Sequence, residues 1–368
     1  MTKKTLFLIF LVVLSASIFG QPKGSYVYQF LNFSQSSRMS ALGGNLISIH
    51  DSDPSILLYN PSAINSDFHT SLSANFTDYF TNTGYGSMLY SHTFKKAGSF
   101  AFGLQCVSYG KFTGTDVNGL ETGSFTAGDY SLMVGWGRQL DSSFSIGASL
   151  KLIYSGYESY SSFGFATDVA GTYYNRAKQI SLTLLFKNMG SQLKPFTTGN
   201  YEKIPFDIQF AFSQRLKHIP VRYHITLHSL YKWNLAYVGE NDPLLEKDGI
   251  TGEYKYPGKA KQFFDNFFRH FVFGIEIIPI KYFSLQLAYN HQRHQEMKIP
   301  QKRSMAGFSY GFCINIHSIQ IGFSREHYAV GAVPNYFTFS ANIEELAKWT
   351  KERKERKLQR VKAGNIEN

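Results

Sequence analysis

From about residue 70 to residue 343 this chain alternates apolar and polar residues with a period of two, and that pattern limits its fold more than any other feature. Ser143 to Tyr154 sets Phe144, Ile146, Ala148, Leu150, Leu152 and Tyr154 on one face, against Ser145, Gly147, Ser149 and Lys151 on the other. Ser99–Tyr109, Gln179–Lys187, Tyr282–Asn290 and Ile319–Ser324 repeat the pattern. Successive side chains of a strand point to opposite sides of its sheet, so each segment builds one apolar and one polar face. Strands are expected near 70–78, 84–94, 99–109, 129–139, 143–154, 163–174, 179–188, 205–215, 221–233, 270–279, 282–291, 303–314, 317–326 and 336–343. That makes about 14, an even number as in single-chain bacterial membrane barrels.

Alternation alone fits a soluble sandwich as well as a membrane barrel. The connections decide between them. They are short at Lys95–Gly98, Leu140–Ser142, Asn175–Lys178, Leu216–Pro220, Ile280–Lys281 and Asn315–Ile316, and much longer at Gly110–Gly128, Met189–Ile204 and Asn234–Arg269. Outer-membrane barrels sort their connections this way, with short periplasmic turns and long outer loops. Composition agrees, with aromatics at 16% and charged residues at only 17%, where soluble domains carry about a quarter. Tyr109, Tyr130, Tyr154, Tyr173, Tyr174, Tyr231, Trp233, Tyr289 and Tyr310 gather near strand ends, where amphipathic rings suit the headgroup level. The expected fold class is all-β: a transmembrane outer-membrane β-barrel of about 14 antiparallel strands with an N-terminal plug segment.

The first residues fit an exported protein. Lys3 and Lys4 precede an apolar run from Leu6 to about Phe19 and small residues up to Gly20, the layout of a signal peptide over 1–20. No Cys follows at the expected cleavage point, and no later apolar run is long enough for a spanning helix. The net charge of +11 raises nucleic acid as a partner. An exported address argues against it, so the expectation is no nucleic acid, and outer-membrane lipid, lipopolysaccharide or an acidic protein surface instead. Cys106 and Cys313 fall on opposite faces of their strands and are expected to stay unpaired.

Residues 21–69 are expected to form the plug, ahead of a barrel over 70–343 and a basic periplasmic tail over 344–368, with both chain ends periplasmic. The stretch SRMSALGGNLISIHDSDPSILLYNPSAIN (Ser37–Asn65) is rich in small residues and turn formers. Gly43 and Gly44 allow positive φ and close approach to a wall. Asp51 and Asp53 suit backbone amides nearby, while Pro54, and Pro61 after Asn60, fix the chain direction. Reading Asp51 and Asp53 as metal ligands lacks further oxygen donors. His291 and His294, and the trio His218, His224 and His228, likewise lack convincing additional ligands. No nucleophile elbow, zinc-protease helix or phosphate loop is present. Glu158, Asp168, Glu276 and Glu326 read as lumen or rim charges. No enzyme activity, catalytic residue, metal or cofactor is expected.

The opening stretch, with its small residues, Asp and Asn-Pro-Ser, resembles the plug region of the FadL-like outer-membrane barrels. More of the chain is similar to the PorQ family of type IX secretion barrels. The likeness runs through YGKFTGTDVNGLETGSFTAGDYSL, KLIYSGYESYSSFGFATDVAGTYY, FKNMGSQLKPF, EKIPFDIQFAFSQRLKHIPVRYHITL and GFSYGFCINIHSIQIGFSREHY. The insert Asn234–Arg269 and the tail after Ile343 match no pattern. The resemblance implies a non-enzymatic barrel platform in a cell-surface attachment complex that anchors cargo to anionic lipopolysaccharide. Its partners would be a PorV-like barrel, a PorU-like sortase and a PorZ-like surface protein held by the outer loops. Tyr254, Tyr256, Phe263, Phe264, Phe267 and Phe268, interleaved with Lys255, Lys259, Lys261 and Arg269, are then the expected docking residues. Packing of the same rings against lipid headgroups is the alternative for this loop. The alternative for the whole chain is a FadL-like channel for hydrophobic small molecules, against which the polar lumen positions Ser145, Ser149, Lys151, Thr183 and Lys187 weigh.

Overall fold

Each alternating segment becomes a strand because pairing on both sides satisfies every backbone amide, which lipid cannot do. A computed structural model describes residues 26–49, 51, 53–81, 83–236, 246–247, 254–255, 258–298, 304–316 and 318–364. The strands are β1 (Ser71–Asp78), β2 (Gly84–Phe94), β3 (Gly98–Thr115), β4 (Glu121–Gln139), β5 (Phe144–Tyr157), β6 (Tyr160–Asn175), β7 (Ile180–Lys194), β8 (Asp207–Arg215) and β9 (Val221–Leu227), then a two-residue ribbon of β10 (Glu246–Lys247) and β11 (Tyr254–Lys255). They continue with β12 (Phe271–Ile280), β13 (Phe283–Asn290), β14 (Phe308–Ile316), β15 (Ile319–Glu326) and β16 (Asn335–Asn342). All except the ribbon join one closed ring of 14 strands. Neighbours in sequence pair antiparallel, β9 pairs with β12 across the ribbon, and β1 closes on β16 from Ser71 opposite Asn342 to Asp78 opposite Asn335.

Outward positions carry exposed apolar side chains around the ring, including Phe76, Met88, Phe102, Leu132, Leu150, Leu184, Leu287 and Phe337. Their neighbours point inward and are buried, as Gln105, Ser131, Ser149 and Lys151 are. An edge-free sheet with an apolar outer band is the strand solution to crossing a bilayer, and it places the chain in an outer membrane. Leu150 lies midway along β5, facing out. Leu150→Arg is expected to cost about 2–4 kcal/mol, read from denaturant titration of folding into vesicles.

Strand lengths correct the sequence reading. The connection expected over Gly110–Gly128 is mostly strand, because β3 and β4 run on to a tight turn in which Asp116 Oδ1 accepts from the amides of Asn118 and Leu120 at 2.8 and 2.9 Å. Gly119 takes φ 82° there. This hairpin extends beyond the strands that flank it, and with water on both faces nothing enforces alternation. β7 likewise continues to Lys194, whereas β9 stops at Leu227 and β14 starts only at Phe308. Cys106 and Cys313 are free thiols on opposite faces of the wall, Cys106 sharing the outward side of Leu104 and Cys313 buried inward.

The core sits between the wall and the described residues of 26–69, inside the ring. One apolar cluster joins Leu42, Ile47, Leu57, Leu58, Ile64 and Phe68 to wall residues Leu89, Met133 and Leu185. A second joins Val27, Tyr28, Phe30 and Leu31 to Tyr85, Val107 and Ile153. A lumen expected to be polar is therefore partly apolar where this segment covers it. The described part of the segment runs the length of the lumen. Val27 donates to Lys203 O at 2.9 Å, at the end of the longer connections, while Pro61 and Ile64 pack on Gly137 and Gly147 at the short-turn end. Residues 1–25, with the expected signal peptide, lie outside the described residues. After β16 the chain forms a helix over Ile343–Gly364 at the short-turn end, where the sequence reading set a basic tail.

Candidate functional site

Small residues let the plug touch the wall. Helix α1 (Ser37–Ala41) begins where Ser36 Oγ accepts from the Met39 amide. Ser37 N donates to Thr338 Oγ1 at 2.8 Å, and Ser309 Oγ donates to Ala41 O at 3.1 Å. A Cβ on Gly322 would meet Ser37 Oγ at 2.2 Å, and one on Gly311 would meet Ala41 Cβ at 2.9 Å. Gly43 and Gly44 take φ 89° and 86°, and a Cβ on Gly43 would strike Val272 at 2.4 Å. Asp53 Oδ1 accepts from the Ser55 amide at 3.0 Å and caps the 3-10 turn Pro54–Leu58. Asn60 Oδ1 accepts from Ser62 N at 2.9 Å, and Asn60 Nδ2 donates to Ile47 O at 2.8 Å, tying two plug segments together. Pro61 follows as the first residue of the next 3-10 turn.

Charges bind plug to wall more firmly. Arg38 donates to both carboxylate oxygens of Glu276, Nε to Oε1 at 3.0 Å and Nη2 to Oε2 at 2.9 Å. It also reaches Asp51 Oδ2 at 2.6 Å and Asp53 Oδ2 at 3.2 Å. Arg222 on β9 bridges Asp51 Oδ2 at 2.7 Å and Glu276 Oε2 at 2.9 Å, and Gln286 donates to Glu276 at 3.2 Å. Burial opposes the charge of Asp51, but the guanidiniums of Arg38 and Arg222 overcome it and hold its carboxyl well below the usual carboxylate range. A depressed carboxyl stabilises the fold at any pH above its ordinary value and loses that contribution only as pH falls through the lowered one, so mild acid should leave the plug seated. Sequence reasoning singles out Asp51 and Asp53 but does not find Arg38 and Arg222 as their partners. The available signal was charge at inward strand positions, where nothing apolar is gained by keeping Arg or Glu.

Nearer the long-loop end, Lys151 pairs with Asp168 at 2.6 Å and donates to Asn188 at 3.0 Å. Asn188 sits at a bulge with φ 55°. Glu326 accepts from Tyr336 at 2.7 Å and from Ser40 of the plug at 3.3 Å, and it pairs with Arg293. A cavity of about 20 Å³ lies between the plug and the wall at Asn60, Ser62 and Thr172, and one of about 10 Å³ lies within the plug beside Arg38 and Tyr59, room on the order of one water each.

Beyond the ring at that end lie helices α2 (Lys259–Arg269) and α3 (His291–Met297). Of the six expected docking residues, Tyr256 lies outside the described residues, and for Tyr254 only its place in the ribbon is described. Phe263, Phe264, Phe267 and Phe268 all fall on α2, with Phe263, Phe264 and Phe268 exposed. Its polar side faces the protein: Asn266 Oδ1 accepts from the Leu235 amide at 2.7 Å, and Asp265 holds Arg269 at 2.8 Å and His291 at 3.2 Å. Burial opposes the Asp265 charge, yet His291 and Arg269 keep its carboxyl below the ordinary value. His294 bonds Ala306 O at 2.8 Å, His224 and His228 are buried at the wall, and His218 is exposed in the turn after β8. Among the described residues no three His, Cys, Asp or Glu side chains form a metal-ligand group.

No family model matches the chain, and no curated protein does. Solved structures with similar architecture include the Pseudomonas putida toluene transporter TodX, at 12% identity over 84% of this chain and 96% of that one, with a TM-score of 0.48. The CymD monoaromatic hydrocarbon channel is 9% identical over 84% and 97%, with a TM-score of 0.46. A Pseudomonas aeruginosa FadL homologue is 11% identical over 83% and 97%, with a TM-score of 0.43. The likeness concerns barrel architecture and says nothing of ligand or partner.

Proposed function

We propose that this chain is a non-conducting, non-enzymatic outer-membrane platform whose work is done at its outer surface, in the manner of the PorQ-like components of type IX secretion. The observation that supports this reading is the plug, whose described residues run the length of the lumen and pack on the wall through two apolar clusters. A closed lumen moves function to the rim. In this reading the longer connections and the β3–β4 hairpin face outward, the short turns and the C-terminal helix are periplasmic, and a PorZ-like surface protein docks on the outer face beside PorV-like and PorU-like partners. The hairpin, with Phe112 exposed on β3 and Val117 and Leu120 exposed at its tip, offers apolar surface for such a contact. In a strain lacking this gene, cargo bearing the type IX signal should stay periplasmic or be released unanchored. Normal surface display would remove the platform reading.

The second reading is a FadL-like channel for hydrophobic small molecules. Its specific support is the apolar flank of the plug, Ile47, Leu57, Leu58 and Ile64, which would line a path if the segment shifted. Uptake of a labelled monoaromatic into proteoliposomes separates the two: a rate equal to that of protein-free vesicles is expected for the platform.

A further inference from the structure

We infer that helix α2 is an in-plane membrane anchor: it lies in the headgroup boundary of the leaflet at the long-loop end, with its phenylalanines against acyl chains and its occupant a lipid surface. This rests on the chain being a membrane barrel and is independent of the platform and channel readings.

The helix is inside out for a soluble surface. At 3.6 residues per turn, Phe263, Phe264, Phe267 and Phe268 share one arc and Asp265, Asn266 and Arg269 the other. The polar arc is the covered one, with Asn266 and Arg269 only 6% and 9% exposed, while Phe263 and Phe264 are 52% and 58% exposed. Hydrogen bonds hold this orientation. Asn266 accepts from the amides of Leu235 and Ala236 and donates to Trp233 O, and Asp265 ties the helix to His291 of α3. Rolling the rings inward would break all of these bonds and leave buried polar groups unpaired.

What covers the rings follows from where they lead. Phe267 packs on Phe271 with centroids 4.9 Å apart, and Phe271 stacks on Phe273 at 5.7 Å. Phe271, Phe273 and Ile275 occupy alternate, outward positions of β12, the face turned to lipid. On the other side Phe263 lies 5.5 Å from Trp233, itself exposed. The helix surface thus continues the bilayer-facing wall without a polar break, and a protein on it would have to share that boundary with lipid. Lys259 and Lys261 flank the apolar arc on either side, where long basic side chains rest their stems on apolar surface and reach anionic headgroups.

The test uses the full chain with Cys106→Ser and Cys313→Ser, reconstituted in vesicles of phosphatidylethanolamine and phosphatidylglycerol with no other protein. A nitroxide at Phe264→Cys, and separately at Phe268→Cys, is compared with one at Asn118→Cys on the hairpin tip. The expected result is oxygen collision several-fold above that of a water-soluble nickel chelate at 264 and 268, and the reverse at 118. Nickel access at 264 and 268 equal to that at 118 would overturn the anchor and leave the rings open to a protein partner. Gel mobility before and after heating verifies that each labelled barrel is folded, and the two sites guard against one variant misfolding.

Discussion

Arg38→Ala is expected to release the plug. The substitution leaves Asp53 without its guanidinium, and Asp51 and Glu276 sharing a single one, that of Arg222, in the interior. Removing one partner from a buried ion cluster costs about 3–5 kcal/mol, most of it the cost of stranded charge. The wall should survive, because its ladders do not involve Arg38, so the loss should fall on the plug. Planar-bilayer recordings should change from silent to intermittently conducting, and protease should cut the Ser37–Asn65 stretch while the barrel stays intact. Arg38→Lys should give an intermediate result, since one ammonium cannot reproduce the two-point contact with Glu276. Silent bilayers and an unchanged protease pattern for Arg38→Ala would show that the apolar clusters alone hold the segment.

Gly147→Val tests the same closure by shape instead of charge. A Cβ at Gly147 would lie 2.1 Å from Pro61 O and 2.3 Å from its carbonyl carbon. Those are backbone atoms, and no side-chain rotation clears them. Gly147 lies inside β5 without a positive φ, so valine suits its local conformation and the strand should form. The expected result is a folded barrel with the Pro61–Ala63 turn lifted from its seat. Overpacking costs about 1–3 kcal/mol in ordinary cores, and the meeting of main-chain atoms sets the upper end here. Loss of heat-resistant mobility on gels would place the damage in the wall instead, and a melting temperature equal to that of the parent would show that the turn is not seated there.

The lipid-facing part of the fold was legible because the bilayer imposes a strict rule on alternate residues. Where strands leave the bilayer, as in the stretch KFTGTDVNG of the β3–β4 hairpin, both faces meet water, the rule lapses, and strand reads as loop. The opposite placement of Cys106 and Cys313 followed from parity alone. The charge cluster did not, since Arg38 and Glu276 are far apart in sequence and only the ring brings them together. Periodicity shows that α2 has two faces, but it does not show which face is inward. Asn266 decides that through partners some thirty residues earlier in the chain.

The position of the seam bears on biogenesis. The ring closes by joining β1 to β16, the first and last strands, and the plug immediately precedes β1. Its seats on Gly137 and Gly147 and its salt bridges to Arg222 and Glu276 lie on strands between those two. The segment can therefore settle against a still-open sheet, and the final pairing closes the wall around it, with no threading of a chain through a finished pore. An intermediate stalled before the seam forms would present bare plug, unpaired strand edges and the inner apolar patches together, which is the surface an assembly chaperone must shield.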